Sequence, residues 1–150
     1  MTRSSLRPAA LLLVGVLCGP AQAATQADFV SEGERLWKAG DLTAAAEQFA
    51  KASESAPTDL VALLKLGGVY LASHRYQESI DVFQRAIGMD ANNADAFAAL
   101  GLAYLHMGQL TRAHAAISQA VKLDPNKEAS ARSLLQNIER RAGIDSPSTH

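Results

Sequence analysis

Few side chains in this 150-residue chain are able to do chemistry, and their spacing decides what they are for. The four histidines, His74, His106, His114 and His150, are the candidates for metal binding or proton transfer. None stands in the His-x-x-x-His or His-x-His spacing that puts two rings on one metal. Surface and turn positions are therefore expected for all four; metal uptake by His106 and His114 would reopen an enzymatic reading. Acidic neighbours occur as Glu32 with Glu34 and as Glu78 with Asp81. On water-facing helix such pairs have no reason for a displaced pKa, and an ordinary carboxylate is not poised for acid–base work near neutrality. The glycine pair Gly67-Gly68 interrupts a helical pattern instead of joining a strand to a helix, so it is no phosphate cradle. The sequence thus predicts no catalytic residue, no metal and no cofactor.

The elements that hold these residues repeat. Gly33, Gly67 and Gly101 are separated by 34 residues, and the same interval relates Leu36, Tyr70 and Tyr104, then Phe49, Phe83 and Ile117, then Ala52, Ala86 and Ala120. A period of this length marks a helical repeat. In the middle copy, Leu63, Leu66, Tyr70 and Ser73 share one helical face, and Ser79, Phe83, Ala86 and Ile87 share a face of a second helix, with His74-Arg75-Tyr76 as the turn between them. A glycine inside a helix costs about 0.5–1 kcal/mol relative to alanine. Gly33, Gly67 and Gly101 therefore imply close approach by the partner helix, whose facing positions carry Ala45, Ser79 and Ala113, while Phe49, Phe83 and Ile117 fill wider space further along. The units end at Ala56-Pro57-Thr58-Asp59, Asp90-Ala91-Asn92-Asn93 and Asp124-Pro125-Asn126, which combine capping side chains with turns.

From about Gln26 to Asn126 this pattern resembles the tetratricopeptide repeat family. The signature positions are matched by Leu63, Leu66, Gly67, Tyr70, Ser79, Phe83, Ala86 and Ala91, and again by Phe97, Leu100, Gly101, Tyr104, Ala113, Ile117, Ala120 and Pro125. In the first unit Gly33, Ala45, Phe49, Ala52 and Pro57 agree, whereas Glu32 and Leu36 depart from the preferred leucine and tyrosine. The resemblance implies an all-α, right-handed superhelical solenoid of three helix-turn-helix units, at about 26–59, 60–93 and 94–127. Residues 128–142 follow as an amphipathic capping helix, and 143–150 as a disordered tail.

The family commonly binds ligands on residues two, five, nine and twelve of each unit, which lie on one helical face. Here these are Ala27, Val30, Glu34 and Trp37; Val61, Leu64, Gly68 and Leu71; and Asp95, Ala98, Leu102 and Leu105. Members that grip a carboxy-terminal carboxylate use lysine and asparagine at places five and nine, and this chain holds Val30 and Glu34, Leu64 and Gly68, Ala98 and Leu102 there. The largely apolar lining predicts an amphipathic helix or apolar peptide of another protein as occupant. Gly68 would leave the groove floor bare for a bulky ligand side chain. Two alternatives stand beside this: Leu71 and Leu105 belong to the core, or two copies of the chain bury each other's apolar surface.

Arg3 and Arg7, the apolar run from Ala9 to Cys18 and the small-residue pattern Ala21-Gln22-Ala23 predict a secretory signal peptide over 1–23. The run is too short for the roughly 20 apolar residues of a membrane span. Leu17 and Gly15 before Cys18 do not fit a lipid-attachment site. A processed chain without cysteine, disulfide or N-glycosylation motif predicts a bacterial periplasmic or secreted protein. The 14 basic and 15 acidic residues of the full chain are scattered, which predicts no nucleic-acid partner.

Overall fold

In a computed structural model that describes residues 25–144, the chain forms seven α-helices: α1 Gln26–Lys38, α2 Leu42–Ser55, α3 Leu60–Ala72, α4 Tyr76–Met89, α5 Ala94–His106, α6 Leu110–Leu123 and α7 Glu128–Ala142. A 3-10 turn over Pro125–Lys127 precedes α7, and among the described residues there is no strand. The expected signal peptide over 1–23 and residues 145–150 lie outside the described residues.

Each helix packs against the one before and the one after, and α3 also touches α5. The molecule is therefore the expected solenoid of three helix pairs closed by α7. Its boundaries follow from capping. Thr25 and Asp28 form a reciprocal capping box at the start of α1, while Asp41, Asp59 and Asn93 accept hydrogen bonds from the first-turn amides of α2, α3 and α5.

The core divides into two clusters along the axis. One contains Phe49, Leu63, Leu66, Val69 and Val82; the other contains Ile80, Phe83, Leu100, Ile117 and Ile138. Leu64 and Ile87 pack against both, which makes the core continuous but thin, as a solenoid requires. Ile138 of α7 is wholly buried, so α7 covers apolar surface that the third unit would otherwise expose.

Three details differ from the sequence reading. The closest approach at the repeat glycines is made by the large side chains, not by the small facing residues. A Cβ at Gly33 would lie 2.7 Å from the Phe49 ring, one at Gly67 2.8 Å from the Phe83 ring, and one at Gly101 2.5 Å from Cγ1 of Ile117. Ser79 serves another purpose, since its hydroxyl is buried and donates to the Gly67 carbonyl at 2.9 Å. Secondly, Tyr76 is the first residue of α4, and His74 makes the turn with φ +61°, a left-handed conformation that Gly40 and Gly108 adopt at the equivalent places. Thirdly, Gly143 caps α7 with φ +64° and Ile144 donates to the Glu139 carbonyl at 3.0 Å, so both belong to the helix end and not to the tail expected from 143 onward.

Candidate partner-binding groove

The first helices of the pairs, α1, α3 and α5, present the candidate residues, and α7 takes the next place in the row. Val61 and Leu102 are the exposed large apolar residues among them, at 52% and 37% of full exposure. Val30, Leu64, Leu71 and Leu105 are half-buried and pack on the core clusters. The apolar line of the sequence reading is broken into separate recesses.

The first recess, about 510 Å³, lies between α1 and α3 and is lined by Glu34, Trp37, Lys38 and Lys65. The second, about 380 Å³, brings Trp37, Leu64, Lys65, Gly68, Asp95 and Ala99 together above Phe83. A third, about 200 Å³, gathers Ala98 and Leu102 with Val121, Lys127, Ser130 and Leu134 where α5, α6 and α7 meet. Val30, Val61, Leu71 and Leu105 line none of these three.

Trp37 separates the first recess from the second. Its indole stands edge-on to Phe49, with centroids 6.1 Å apart at 75°, and it reaches across to α3, where a Cβ on Gly68 would meet Cη2 at 3.0 Å. The floor at Gly68 is consequently not bare, because the indole of the preceding unit fills it. Any side chain larger than hydrogen at position 68 would contest that place with the tryptophan.

The groove is also more charged than the sequence suggested. Lys65 of α3 holds Glu34 of α1 at 2.6 Å, and Lys127 holds Asp95 at 2.6 Å with Asp124 further off at 3.7 Å. The hydrogen bond from Lys65 keeps the Glu34 carboxyl below its usual range, with Lys38 adding a weaker pull. The hydrogen bond to Asp95 likewise raises the Lys127 ammonium. Sequence reasoning missed both lysines. The signal that would have found them is opposite charge at one repeat's separation: Lys65 lies 31 residues after Glu34, and Lys127 lies 32 after Asp95.

The expectation of undisplaced carboxylates is corrected elsewhere too. Glu32 is lowered by its hydrogen bond from Arg35, and Glu78 by its own backbone amide and then Arg75. All these shifts stabilise the charged form, so none of these groups is prepared to give or take a proton near neutrality.

The histidines are engaged in packing. His74 shares a 2.6 Å hydrogen bond with the Tyr76 hydroxyl, and the Tyr76 ring stacks on His106 with centroids 4.8 Å apart. His114 of α6 meets Glu139 of α7 at 3.0 Å, which ties the last helix to the third unit. Among the described residues no three histidine, cysteine, aspartate or glutamate side chains gather as metal ligands would. His150 lies outside the described residues.

Comparison with known proteins agrees with this architecture. Two models described as tetratricopeptide repeat match residues 30–96 and 70–138, together most of the described chain. Among curated proteins, the chain is 28% identical over 87 residues to the general transcriptional corepressor trfA of Dictyostelium discoideum and 26% identical over 98 residues to the Hsp70-Hsp90 organizing protein of Triticum aestivum. These matches take in 58% and 65% of this chain but span only 6% and 17% of those two proteins. Among solved structures, the first repeat domain of Spaghetti (RPAP3), bound to the HSP90 peptide SRMEEVD, superposes with a TM-score of 0.75 at 17% identity, covering 79% of this chain and 94% of that one. MamA from Desulfovibrio magneticus RS-1 superposes with a TM-score of 0.73 at 27% identity, covering 79% and 66%.

Proposed function

Because the chain belongs to the tetratricopeptide repeat family, we propose that it is a non-enzymatic scaffold whose groove along α1, α3 and α5 holds an apolar or amphipathic helical segment of another protein. The observation that carries this reading is Leu102, a large apolar side chain left 37% exposed at the edge of a recess of about 200 Å³. An exposed leucine beside an open apolar recess is what a docked side chain would cover. The RPAP3 domain, of the same fold, holds a peptide, SRMEEVD, whose last residue is aspartate. In this chain Val30, Glu34, Leu64, Gly68, Ala98 and Leu102 stand where members that grip a free chain end carry lysine and asparagine, so the occupant is an internal segment. Arg3, Arg7, the apolar run to Cys18 and Ala21-Gln22-Ala23 support export, and the setting we propose is the bacterial periplasm.

Photo-crosslinking in the producing cell from position 130, exposed on the same recess, repeated with Leu102→Glu, tests the reading. The glutamate variant should keep its helicity and lose the crosslinked partner; retention of the same partner would refute a groove contact at this place. Leu64 is unsuited to the test because it packs on both core clusters. Val61, 52% exposed and outside the recesses, favours a second reading in which two copies associate. Sedimentation separates the two: a dimer that persists on dilution supports self-assembly, and a monomer supports a foreign partner.

A further inference from the structure

The charges around Trp37 say more about the occupant. The recess on its α1 side holds two ammonium groups, Lys38 and Lys65, against one carboxylate, Glu34. Glu34 is occupied by Lys65 at 2.6 Å, and the two are only partly exposed. Lys38, exposed in the last turn of α1, forms no ion pair with a described residue, so the side chains lining the recess carry one positive charge in excess. On the other side of the same indole Leu64, Gly68 and Ala99 form the apolar part of a wall that Lys65 and Asp95, itself held by Lys127, also line. Trp37 and Lys65 line both sides.

We propose that the occupant straddles Trp37 with an adjacent pair of side chains, an internal aspartate or glutamate facing Lys38 and Lys65 and an apolar side chain in the recess of Leu64, Gly68 and Ala99. Charge complementarity selects the first. The carboxylate supplies the anion that the recess lacks, in a site where Glu34 keeps its own charge because Lys65 holds it. Shape selects the second. The indole already fills the space over Gly68, so the apolar side chain lies beside the ring and not under it. The inference rests on the groove reading above and adds the acidic half of the recognised pair. It differs from capture of a chain end, because the carboxylate belongs to a side chain and places five and nine of the units carry no lysine or asparagine.

Trp37 is the only tryptophan in the chain, so its fluorescence reports this place alone. The probes are three synthetic helices with leucines at i, i+3, i+4 and i+7: two amidated, one with glutamate beside the stripe and one with glutamine there, and a third that is the glutamine helix with a free carboxy terminus. The glutamate helix should perturb Trp37 and bind about threefold to fivefold more tightly than the amidated glutamine helix, an advantage that shrinks with added salt and is lost in Lys38→Gln. Equal affinity of the two amidated helices overturns the acidic requirement while leaving the groove reading intact. Preference for the free carboxy terminus over its amide overturns the side-chain assignment in favour of end capture. Absence of any binding, by fluorescence and by sedimentation, overturns the groove reading and this inference with it.

Discussion

Replacing Gly67 by alanine separates packing from helix propensity, because the two effects have opposite signs at one position. Propensity alone favours the change by about 0.5–1 kcal/mol, since glycine inside a helix is costly. The new Cβ, however, would stand 2.8, 2.9 and 3.1 Å from Cε1, Cζ and Cδ1 of Phe83, whose side chain is only 2% exposed, so the ring would have to shift. Overpacking a closed core costs about 1–3 kcal/mol. The middle of the two ranges gives a net loss of about 1 kcal/mol, or a few degrees in midpoint. Gly88 in α4 is the internal control, because a Cβ there meets nothing within 4 Å. Gly88→Ala should therefore stabilise by about 0.5–1 kcal/mol. The assay is urea unfolding followed by far-UV circular dichroism, on both single variants and on Gly67→Ala in a Phe83→Leu background. Leucine removes the outer ring atoms, so the alanine penalty should fall by about 1 kcal/mol in the double variant. A Gly67→Ala protein as stable as the parent, or a penalty unchanged by Phe83→Leu, would refute the claim that this glycine exists for the ring of Phe83.

Two further outcomes follow from the same packing and charges. Ile138→Ala deletes a wholly buried side chain of α7 and should cost about 2–4 kcal/mol, with faster hydrogen exchange along α6; a loss below about 1 kcal/mol with unchanged exchange would mean that α7 is not the cap. Glu32 and Glu34 are held below the ordinary glutamate value near 4.5 by Arg35 and Lys65. The unfolded chain takes up these protons more readily, so the stability they add is present above that value and is lost as pH falls through the lower folded values. The urea midpoint should therefore hold from neutrality to about pH 5 and decline below it, less steeply in high salt; a flat midpoint down to about pH 3 would contradict these pairings.

The family, the seven helices and the two roles within each repeat were legible in the sequence because they depend on spacing along a single helix. Leu63, Leu66 and Tyr70 share a face whatever surrounds them, and Asp59 or Asn93 caps a helix with atoms a few residues away. Three copies at one interval then made the local pattern a fold. The candidate groove was legible only as a list of positions. Which of them stay open depends on neighbouring units: Leu71 and Leu105 are half-buried against the core, Leu102 stays out, and Trp37 of one unit closes the floor that Gly68 of the next leaves. The same is true of charge, because Lys65 and Lys127 find Glu34 and Asp95 across about thirty residues of chain, a separation whose partners are set by how one helix pair stacks on the next. His74 makes the point in the backbone: a histidine does not announce a left-handed turn, and its φ of +61° is the conformation that Gly40 and Gly108 adopt at the equivalent places. Periodicity acts within an element and can be read along the chain, whereas exposure, ion pairing and turn strain arise between elements, and stacking alone brings those together.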